Sequence, residues 1–339
     1  MLWARLLSVG FVTGLVTVCL TGCAGRPVPV AEPPAPAAAT GRSAPAAAAA
    51  RPAPAASPRD QRGTDQRGKL QFGGLTRTYG VHVPPGRAVG LVLNLHGGGG
   101  TGIAQQRLSG FDAVADSYNL LVVYPDGYDK SWADGRGASP ADRNDVDDVG
   151  FLVRLVGKLA NEFGVAPGHV FATGMSNGGF MSNKLACDRA DVFAAIAPVA
   201  GTLGKGVACR PSQPVSVLEV HGTADPLVPF NGGKIHGRGG LSRSIAAPTM
   251  VTTWRTADRC QGDPSADALP NVGDGTVIQR FDSTECAASS EVVFYQIDNG
   301  GHTWPGGGQY LPKAIIGSTT RALDASEAIA RFFLAHARA

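Results

Sequence analysis

A short strand that passes directly into a helix constrains the fold of this chain more than any other segment. Residues 170–173 are β-branched or apolar and predict a strand, and the turn Gly174–Gly179 (GMSNGG) then leads into a helical stretch that includes Leu185. Glycine tolerates backbone conformations and close contacts that other residues do not. The glycines of this turn therefore permit an abrupt change of direction, and a strand–turn–helix unit favours a parallel sheet covered by helices.

The same alternation continues from about Lys69 to the C-terminus. Short apolar or β-branched segments predict strands at 78–83, 91–95, 120–124, 170–173, 193–199, 215–220 and 291–297. Helices are predicted at Asp148–Phe163, which begins with acids and ends before Gly164, and at Asp324–Ala337. We therefore expect one α/β domain over residues 69–339, with a mostly parallel central sheet and helices on both faces.

The N-terminus has the pattern of an export signal. Arg5 precedes an apolar stretch from Leu6 to Leu20 that is too short for a good membrane-spanning helix. Residues 1–22 are therefore predicted to be a signal peptide. The sequence Leu20-Thr21-Gly22-Cys23 resembles a bacterial lipobox, which implies that Cys23 is lipidated and anchors the exported protein to the cell envelope. The alternative is an ordinary signal peptide with an incidental cysteine.

Residues 23–68 are predicted to be the lipidated cysteine and a disordered tether. Residues 24–60 contain 15 alanines and 9 prolines and have almost nothing to bury. The net charge of +3 comes from this N-terminal part, because residues 70–339 carry 22 basic against 24 acidic residues. A nearly neutral domain argues against a nucleic-acid partner. The only expected contact with a membrane is the lipid anchor.

The four cysteines beyond the predicted tether favour two disulfides in an exported domain. Three pairings are possible, and we favour Cys187 with Cys209 and Cys260 with Cys286, because each closes a short local loop. The cysteines lack the closely spaced pairs of a zinc site. No metal and no cofactor is predicted.

The turn at Gly174–Gly179 matches the nucleophile elbow, in which a serine stands between glycines two residues away on either side. Ser176 is the predicted nucleophile. A predicted strand upstream ends in His96 followed by the four glycines 97–100, which matches the loop that supplies part of an oxyanion hole. We assign the hole to the backbone amide of Asn177 and to one amide of this loop, for which we favour Gly98 over the other glycines. A phosphate loop would need a following Lys-Ser/Thr, which is absent.

Two further polar residues follow predicted strands downstream. Asp225 lies just beyond the strand at 215–220 and is the predicted acid, and His302 lies in a glycine-rich loop beyond 291–297 and is the predicted general base. The order Ser, Asp, His along the chain is that of the α/β-hydrolases. Asp258 and Asp298 are weaker candidates for the acid because of their positions relative to the strand ends.

Several other polar residues have simpler interpretations. His96 and His221 stand at strand ends beside glycines, where hydrogen bonds to loop backbone are expected. Asp145, Asp147 and Asp148 resemble a calcium loop only loosely, and charges at a helix N-terminus explain them better.

The motifs together resemble the family of secreted feruloyl esterases, acetylxylan esterases and polyhydroxybutyrate depolymerases, from about Tyr79 to Phe333. The resemblance rests on segments at 93–97, 124–127, 147–151, 174–179, 195–201, 221–225 and 301–305. It implies an α/β-hydrolase fold and the triad Ser176, Asp225 and His302. Many of the depolymerases carry a cysteine after His-Gly in the oxyanion loop, whereas this chain has Gly98, which favours the feruloyl-like branch.

We expect a secreted serine esterase that acts on short-chain, feruloyl, acetyl-carbohydrate or hydroxybutyrate-oligomer esters. The alternatives are a polyhydroxybutyrate depolymerase proper, a peptidase, or a non-catalytic binding protein on the same fold. The dozen residues between Gly201 and the next predicted strand are too few for a helical cap, so the site should be open. We predict that Trp304 and Trp132 line the substrate site. For Trp132 the alternative is that its side chain packs in the core.

Overall fold

The computed structural model describes residues 62–339, and its centre is a ten-stranded sheet. The sheet strands are β1 Thr64–Phe72, β2 Leu75–Val83, β3 Gly90–Leu95, β4 Leu120–Pro125, β5 Val170–Met175, β6 Ala195–Val199, β7 Ser216–Gly222, β10 Ser265–Ala268, β11 Val277–Ser283 and β12 Val292–Asp298. Their order in the sheet is β1-β2-β4-β3-β5-β6-β7-β12-β11-β10. The central strands β4, β3, β5, β6, β7 and β12 pair in parallel. The strands at both edges pair antiparallel. The prediction of an α/β fold with a mostly parallel sheet is confirmed.

Helices cover both faces of the sheet. Their bounds are α1 Gly102–Ser109, α2 Phe111–Tyr118, α3 Pro140–Arg143, α4 Asp148–Phe163, α5 Asn177–Asp188, α6 Ala247–Ala257, α7 Lys313–Ile316 and α8 Ala325–Ala335. Helices α4, α5 and α6 bury Phe151, Leu185 and Trp254 in one hydrophobic cluster. Helices α2 and α8 bury Phe111 and Phe333 in a second cluster on the other face.

The predicted strands and helices agree closely with the structure, and the strands of the main sheet that were not predicted lie at its edges. Helices α1, α2, α3, α6 and α7 were not predicted either. Helix α4 has the predicted bounds, because Asp147 caps its first turn and Gly164 ends it with a positive φ of 66°. Strand β1 begins at Thr64, five residues before Lys69, and it pairs with β2 through a turn at Gly73-Gly74, where both φ angles are positive. Strand β1 was missed because its side chains are mostly exposed and polar.

A two-stranded hairpin outside the main sheet was also not predicted. It consists of β8 Gly233–Gly237 and β9 Gly240–Ser244. Between β6 and β7 the described chain contains no helix, which agrees with the predicted absence of a helical cap. Residues of both hairpin strands line a cavity beside Ser176.

Both predicted disulfides are confirmed. The Cys187–Cys209 bond connects the end of α5 to the loop before β7. The Cys260–Cys286 bond connects the segment after α6 to the segment after β11. The predicted signal peptide, the lipidated Cys23 and all but the last residues of the predicted tether lie outside the described residues. Within residues 62–339, no helix combines the length and the apolar character that a membrane span requires.

Candidate active site

Ser176 stands at the sharp junction between β5 and α5. Its backbone has φ 57° and ψ −120°, a conformation that is rare for a residue with a side chain. Two hydrogen bonds fix it: its amide donates to the Val199 carbonyl at 2.9 Å, and its carbonyl accepts from the Phe180 amide at 2.9 Å. Ser176 is half-buried, and it lines the two cavities described below.

The glycines around Ser176 are required by space. A Cβ atom at Gly174 would lie 2.5 Å from the Leu95 carbonyl oxygen, and one at Gly178 would lie 2.1 Å from the same atom. Both distances are far below van der Waals contact. The turn therefore packs directly against the end of β3, which brings the loop that follows Leu95 beside Ser176.

Asp225 and His302 meet beside the carboxyl ends of β7 and β12. The Nδ1 atom of His302 lies 2.7 Å from Oδ2 of Asp225, and both side chains are buried. The other carboxylate oxygen, Oδ1, accepts the amides of Leu227 and Val228, each at 2.8 Å. Every hydrogen bond that reaches this carboxylate fixes its orientation toward the imidazole.

The surroundings of Asp225 favour its ionised form. Burial alone would raise the pKa of Asp225, but the charge and hydrogen bond of His302, the charge of His221 and the Val228 amide outweigh it, so the pKa is lowered. An ionised, oriented carboxylate is what a histidine base needs in order to accept a proton from a hydroxyl group.

Two cavities meet at Ser176. We call the first the polar arm; it has a volume of about 180 Å³ and includes Ser131, Arg136, Ser139, Asn177, His236 and Ser242 in its lining. We call the second the apolar arm; it has a volume of about 400 Å³ and includes Leu108, Met175, His302, Tyr310 and Leu311. Gly98, Ser176 and Leu227 line both arms. A substrate bound at Ser176 thus has a different environment on each side.

The glycine loop after β3 has two amides already in use. The Gly99 amide donates to the Lys130 carbonyl at 2.8 Å, and the Gly100 amide donates to the Gly97 carbonyl at 3.0 Å. The Gly98 amide makes no such bond within residues 62–339, and Gly98 is exposed beside Ser176. The Asn177 amide belongs to the first turn of α5, where amides have no partner within the helix. Both amides are available to an oxyanion.

The side chain of Asn177 is held by hydrogen bonds to the loop before α3, at Trp132 and Asp134. Its Oδ1 atom accepts the Trp132 amide at 2.8 Å, and its Nδ2 atom donates to the Trp132 carbonyl at 3.1 Å and to Oδ2 of Asp134 at 2.6 Å. Asp134 in turn binds the guanidinium of Arg136. The residue assigned to the oxyanion hole is thus tied to the wall of the polar arm.

Comparisons with known proteins agree with this geometry. Residues 125–204 match the prolyl oligopeptidase family. The putative esterase NocK of Nocardia uniformis subsp. tsuyamanensis is 33% identical over 94% of this chain and 96% of its own length. Feruloyl esterase C of Emericella nidulans is 28% identical over 67% of this chain and 76% of its own length. This chain belongs to the esterase family of NocK. It is a carboxylic ester hydrolase.

A solved structure supports the fold of the esterase. The acetyl xylan esterase from Aspergillus awamori superposes with a TM-score of 0.50 and 14% identity, over 70% of this chain and 94% of that one. At this identity the likeness concerns the fold alone, which is that of the α/β-hydrolases.

The two tryptophans predicted to wall the substrate site of the esterase do not do so. Trp132 and Trp304 are both fully buried. The indole nitrogen of Trp132 donates to the His96 carbonyl at 2.9 Å, and that of Trp304 donates to Oγ of Ser326 at 3.1 Å. Both side chains are core residues with satisfied donors, so the prediction is wrong for Trp304, and Trp132 follows its core-packing alternative.

The simpler interpretations of the other polar residues agree with the structure. His96 accepts the Gly127 amide at Nε2, at 2.9 Å. Asp147 caps α4, and Asp148 forms a buried ion pair with Arg77 at 2.6 Å. Asp258 accepts the Val215 amide at 3.1 Å and does not line either arm.

One group of residues in the described chain brings several possible metal ligands together. The side chains of Asp65, His82 and Asp112 place ligand atoms within 4.8 Å of one another. The His82 ring is already bonded at both nitrogens, to Asp65 and to Asp116, each at 2.9 Å. These contacts raise the pKa of His82 against the opposing effect of burial. The group is explained as an ion-paired histidine and contributes nothing to the lining of either arm.

Sequence reasoning missed the residues that shape the two arms. Asp134 and Arg136 stand in the sequence WADGRG, which matches no motif used above, and Tyr310 and Leu311 stand in the loop after His302. The one available signal was the tight clustering of charge and glycine at 134–137, which is typical of an ordered loop.

Proposed function

We propose that this esterase is a serine hydrolase in which Ser176 is the nucleophile, His302 the general base and Asp225 the acid that orients it. The observation that carries the proposal is the 2.7 Å contact between His302 Nδ1 and Asp225 Oδ2, on a histidine that lines the apolar arm together with Ser176. The strained backbone of Ser176 supports the same assignment, because strain of this kind is concentrated at functional residues.

The chemistry follows from these positions. His302 takes the proton of the Ser176 hydroxyl while Oγ forms a bond to the ester carbon, and the negative charge moves to the carbonyl oxygen. The amides of Asn177 and Gly98 stabilise that oxyanion. The carbon–oxygen bond to the alcohol then breaks, and His302 returns the proton to the departing oxygen. Water repeats the sequence on the acyl-enzyme and releases the acid and Ser176.

We further propose that the natural substrates are soluble short-chain or hydroxycinnamoyl esters and oligomers rather than long-chain lipid. The name of feruloyl esterase C supports a hydroxycinnamoyl substrate. The absence of a helical cap between β6 and β7 in the described chain supports an open site. Polyhydroxybutyrate depolymerase activity is the second candidate, for which the sequence resemblance is the support.

Export and lipid anchoring belong to the same proposal. The two disulfides support an oxidising compartment, because such bonds persist outside the cytosol. The lipobox at Leu20–Cys23 supports an anchor at Cys23, with the domain held off the membrane by the Ala- and Pro-rich tether.

A labelling experiment tests the catalytic assignment. The purified protein is incubated with a fluorophosphonate and digested, and the modified peptide is identified by mass spectrometry beside assays of p-nitrophenyl acetate and a peptide p-nitroanilide. We expect label on Ser176, ester turnover and little amide turnover. Ser176→Ala should lose label and turnover, whereas Ser117→Ala, at an exposed serine on α2, should keep both. Label elsewhere, or ester turnover by Ser176→Ala, would contradict the proposal.

A further inference from the structure

Arg136 is held in one orientation with part of its donor capacity unused. Its Nε and Nη2 atoms bind the buried carboxylate of Asp134 at 2.6 to 3.0 Å. Its guanidinium carbon lies 3.8 Å from the centre of the Phe180 ring. In the described part of the chain the remaining nitrogen, Nη1, makes one long contact, 3.4 Å to Oγ of Ser242. A guanidinium fixed on two sides presents Nη1 as the free part of its edge.

This free edge belongs to the polar arm. Arg136 and Ser242 both line that arm, together with Ser176 itself, and the Arg136 side chain is only 10% exposed. A charged donor that is largely removed from water is a strong binding partner for an oxygen atom, and it is costly to leave unpaired.

We infer that Arg136 determines the specificity of this esterase by donating a hydrogen bond from Nη1 to an acceptor oxygen on the acyl group of the substrate. The inference rests on the proposed function, because it needs Ser176 to be the nucleophile. It assigns the substrate class as esters whose acyl chain carries a hydroxyl, ether or carbonyl oxygen a few bonds from the ester carbon.

The assignment to the acyl group follows from the position of the base. The departing alcohol oxygen must receive its proton from His302. His302 lines the apolar arm and is not part of the polar arm lining. The alcohol therefore leaves on the side of the apolar arm, and the acyl chain extends into the polar arm toward Arg136.

Asp134 connects this contact to the oxyanion hole. Its carboxylate binds Arg136 and also accepts Nδ2 of Asn177 at 2.6 Å, so one buried acid holds both residues. Asp134 is a positioning residue for the two of them. A bound acyl oxygen would complete the donor set of Arg136 beside an already ordered Asn177.

The test compares esters that differ by one atom. For each of 3-methoxypropanoate, 4-methoxybutanoate and 5-methoxypentanoate, the p-nitrophenyl ester is paired with the alkanoate of equal length, and kcat/KM is divided by the rate of hydroxide-catalysed hydrolysis. In at least one pair we expect the ether to be preferred about 10- to 100-fold, the range of one hydrogen bond to a charged donor. Because intrinsic reactivity is divided out, the ratio reports recognition in the site.

Variants connect the preference to Arg136. Arg136→Lys keeps the charge beside Asp134, and the double change Arg136→Met with Asp134→Asn removes both charges together, so that no buried acid is left unpaired. Both should bring the ether preference to within about threefold of unity. Because the preference is a ratio of two esters measured on the same variant, a general loss of rate through Asp134 and Asn177 does not change it. Arg238→Met is the matched control, because Arg238 also lines the polar arm but forms an exposed ion pair with Asp129.

The outcomes separate the inference from the proposed function. Wild-type protein that hydrolyses p-nitrophenyl acetate but shows no ether preference at any of the three positions overturns the inference alone. A preference that survives in both Arg136 variants, or that disappears in Arg238→Met, also overturns it. Failure of wild-type protein to hydrolyse p-nitrophenyl acetate would overturn the proposed function.

Discussion

His221 lies between two carboxylates, with Nδ1 3.0 Å from Oε1 of Glu219 and Nε2 3.7 Å from Oδ2 of Asp225, the oxygen that binds His302. The same Nε2 atom donates to the Val228 carbonyl at 3.0 Å. Both Glu219 and His221 are fully buried, and Oε2 of Glu219 has no hydrogen-bond partner among residues 62–339. A buried Glu–His pair therefore supports the loop that carries Asp225, the proposed triad acid.

The pair predicts a pH-dependent stability. Burial raises the pKa of Glu219 to about 7 against the opposing effect of His221. Burial would lower the pKa of His221, but the hydrogen bond with Glu219 outweighs it and the pKa is raised. The folded protein thus keeps protons that the unfolded chain has lost, so the free energy of unfolding should fall as the pH rises from about 5 to 8.

Glu219→Gln tests this dependence, because glutamine keeps the shape and the hydrogen bond without a titrating proton. Denaturant unfolding at pH 5 and pH 8 should give a fall in stability that is smaller in the variant by at least about 1 kcal/mol, the equivalent of less than one pKa unit. Glu162→Gln, on the exposed surface of α4, should leave the wild-type dependence unchanged. Equal pH dependence in wild type and Glu219→Gln would contradict the prediction.

Asp225→Asn should reduce kcat by about 10⁴-fold for a simple ester, because an amide neither stabilises the imidazolium nor fixes the same ring tautomer of His302. Asp258→Asn is a suitable control. Asp258 is also buried, and burial raises its pKa to about 7. Its carboxylate accepts a hydrogen bond from the Val215 amide, which is not part of the proposed triad. We expect Asp258→Asn to keep kcat within about tenfold of wild type, and comparable losses in the two variants would contradict the assignment of the acid.

The residues proposed for catalysis could be placed together from the sequence because each follows a strand of the parallel sheet. Ser176, Asp225 and His302 stand just beyond β5, β7 and β12, and carboxyl ends of parallel strands share one edge of the sheet. The tryptophans could not be placed in the same way. Trp304 is close to His302 in sequence, but this does not determine which way the indole side chain points. In the structure the side chain packs in the core.

The edge strands, the polar arm and the apolar arm could not be predicted from the sequence, for a different reason. Residues of β10 are all exposed, so the strand has no apolar face for a pattern to reveal. Arg136 reaches the site by pairing with Asp134 and packing on Phe180, and its position depends on contacts between a loop and a helix. Such contacts follow from the tertiary structure and leave no periodic pattern in the sequence.

The double variant Cys260→Ser with Cys286→Ser should lower the free energy of unfolding by about 3 kcal/mol, since it releases a loop closed over a separation of 26 residues. Non-reducing peptide mapping of wild-type protein should recover Cys187 linked to Cys209 and Cys260 linked to Cys286. Unfolding under non-reducing conditions provides the stability measurement. Free thiols at all four positions would refute both the pairing and the argument for export.

Cys23→Ser should move the protein from the membrane fraction to the soluble fraction or block its processing, because the proposed diacylated cysteine is the anchor. Mass spectrometry of mature wild-type protein should find a lipidated N-terminal cysteine. Cys19→Ser, in the predicted signal peptide, is the matched control and should leave fractionation unchanged. Mature wild-type protein without lipid would refute the anchor.

The apolar arm predicts which alcohols the esterase accepts. Tyr310 and Leu311 line this arm and are 41% and 43% exposed, so they offer apolar surface that a bulky alcohol would cover. Replacing Leu311 by serine removes part of that surface, and at about 25 cal/mol per Å² the loss should be roughly 1 kcal/mol. We therefore expect Leu311→Ser to reduce kcat/KM about fivefold or more for naphthyl acetate, while ethyl acetate, which has little alcohol to bury, changes less than twofold. Val272→Ser, at an apolar residue that is 49% exposed and absent from the lining of both arms, should affect neither ester. An equal loss on both esters in Leu311→Ser would mean that the residue supports the loop of His302 rather than the alcohol.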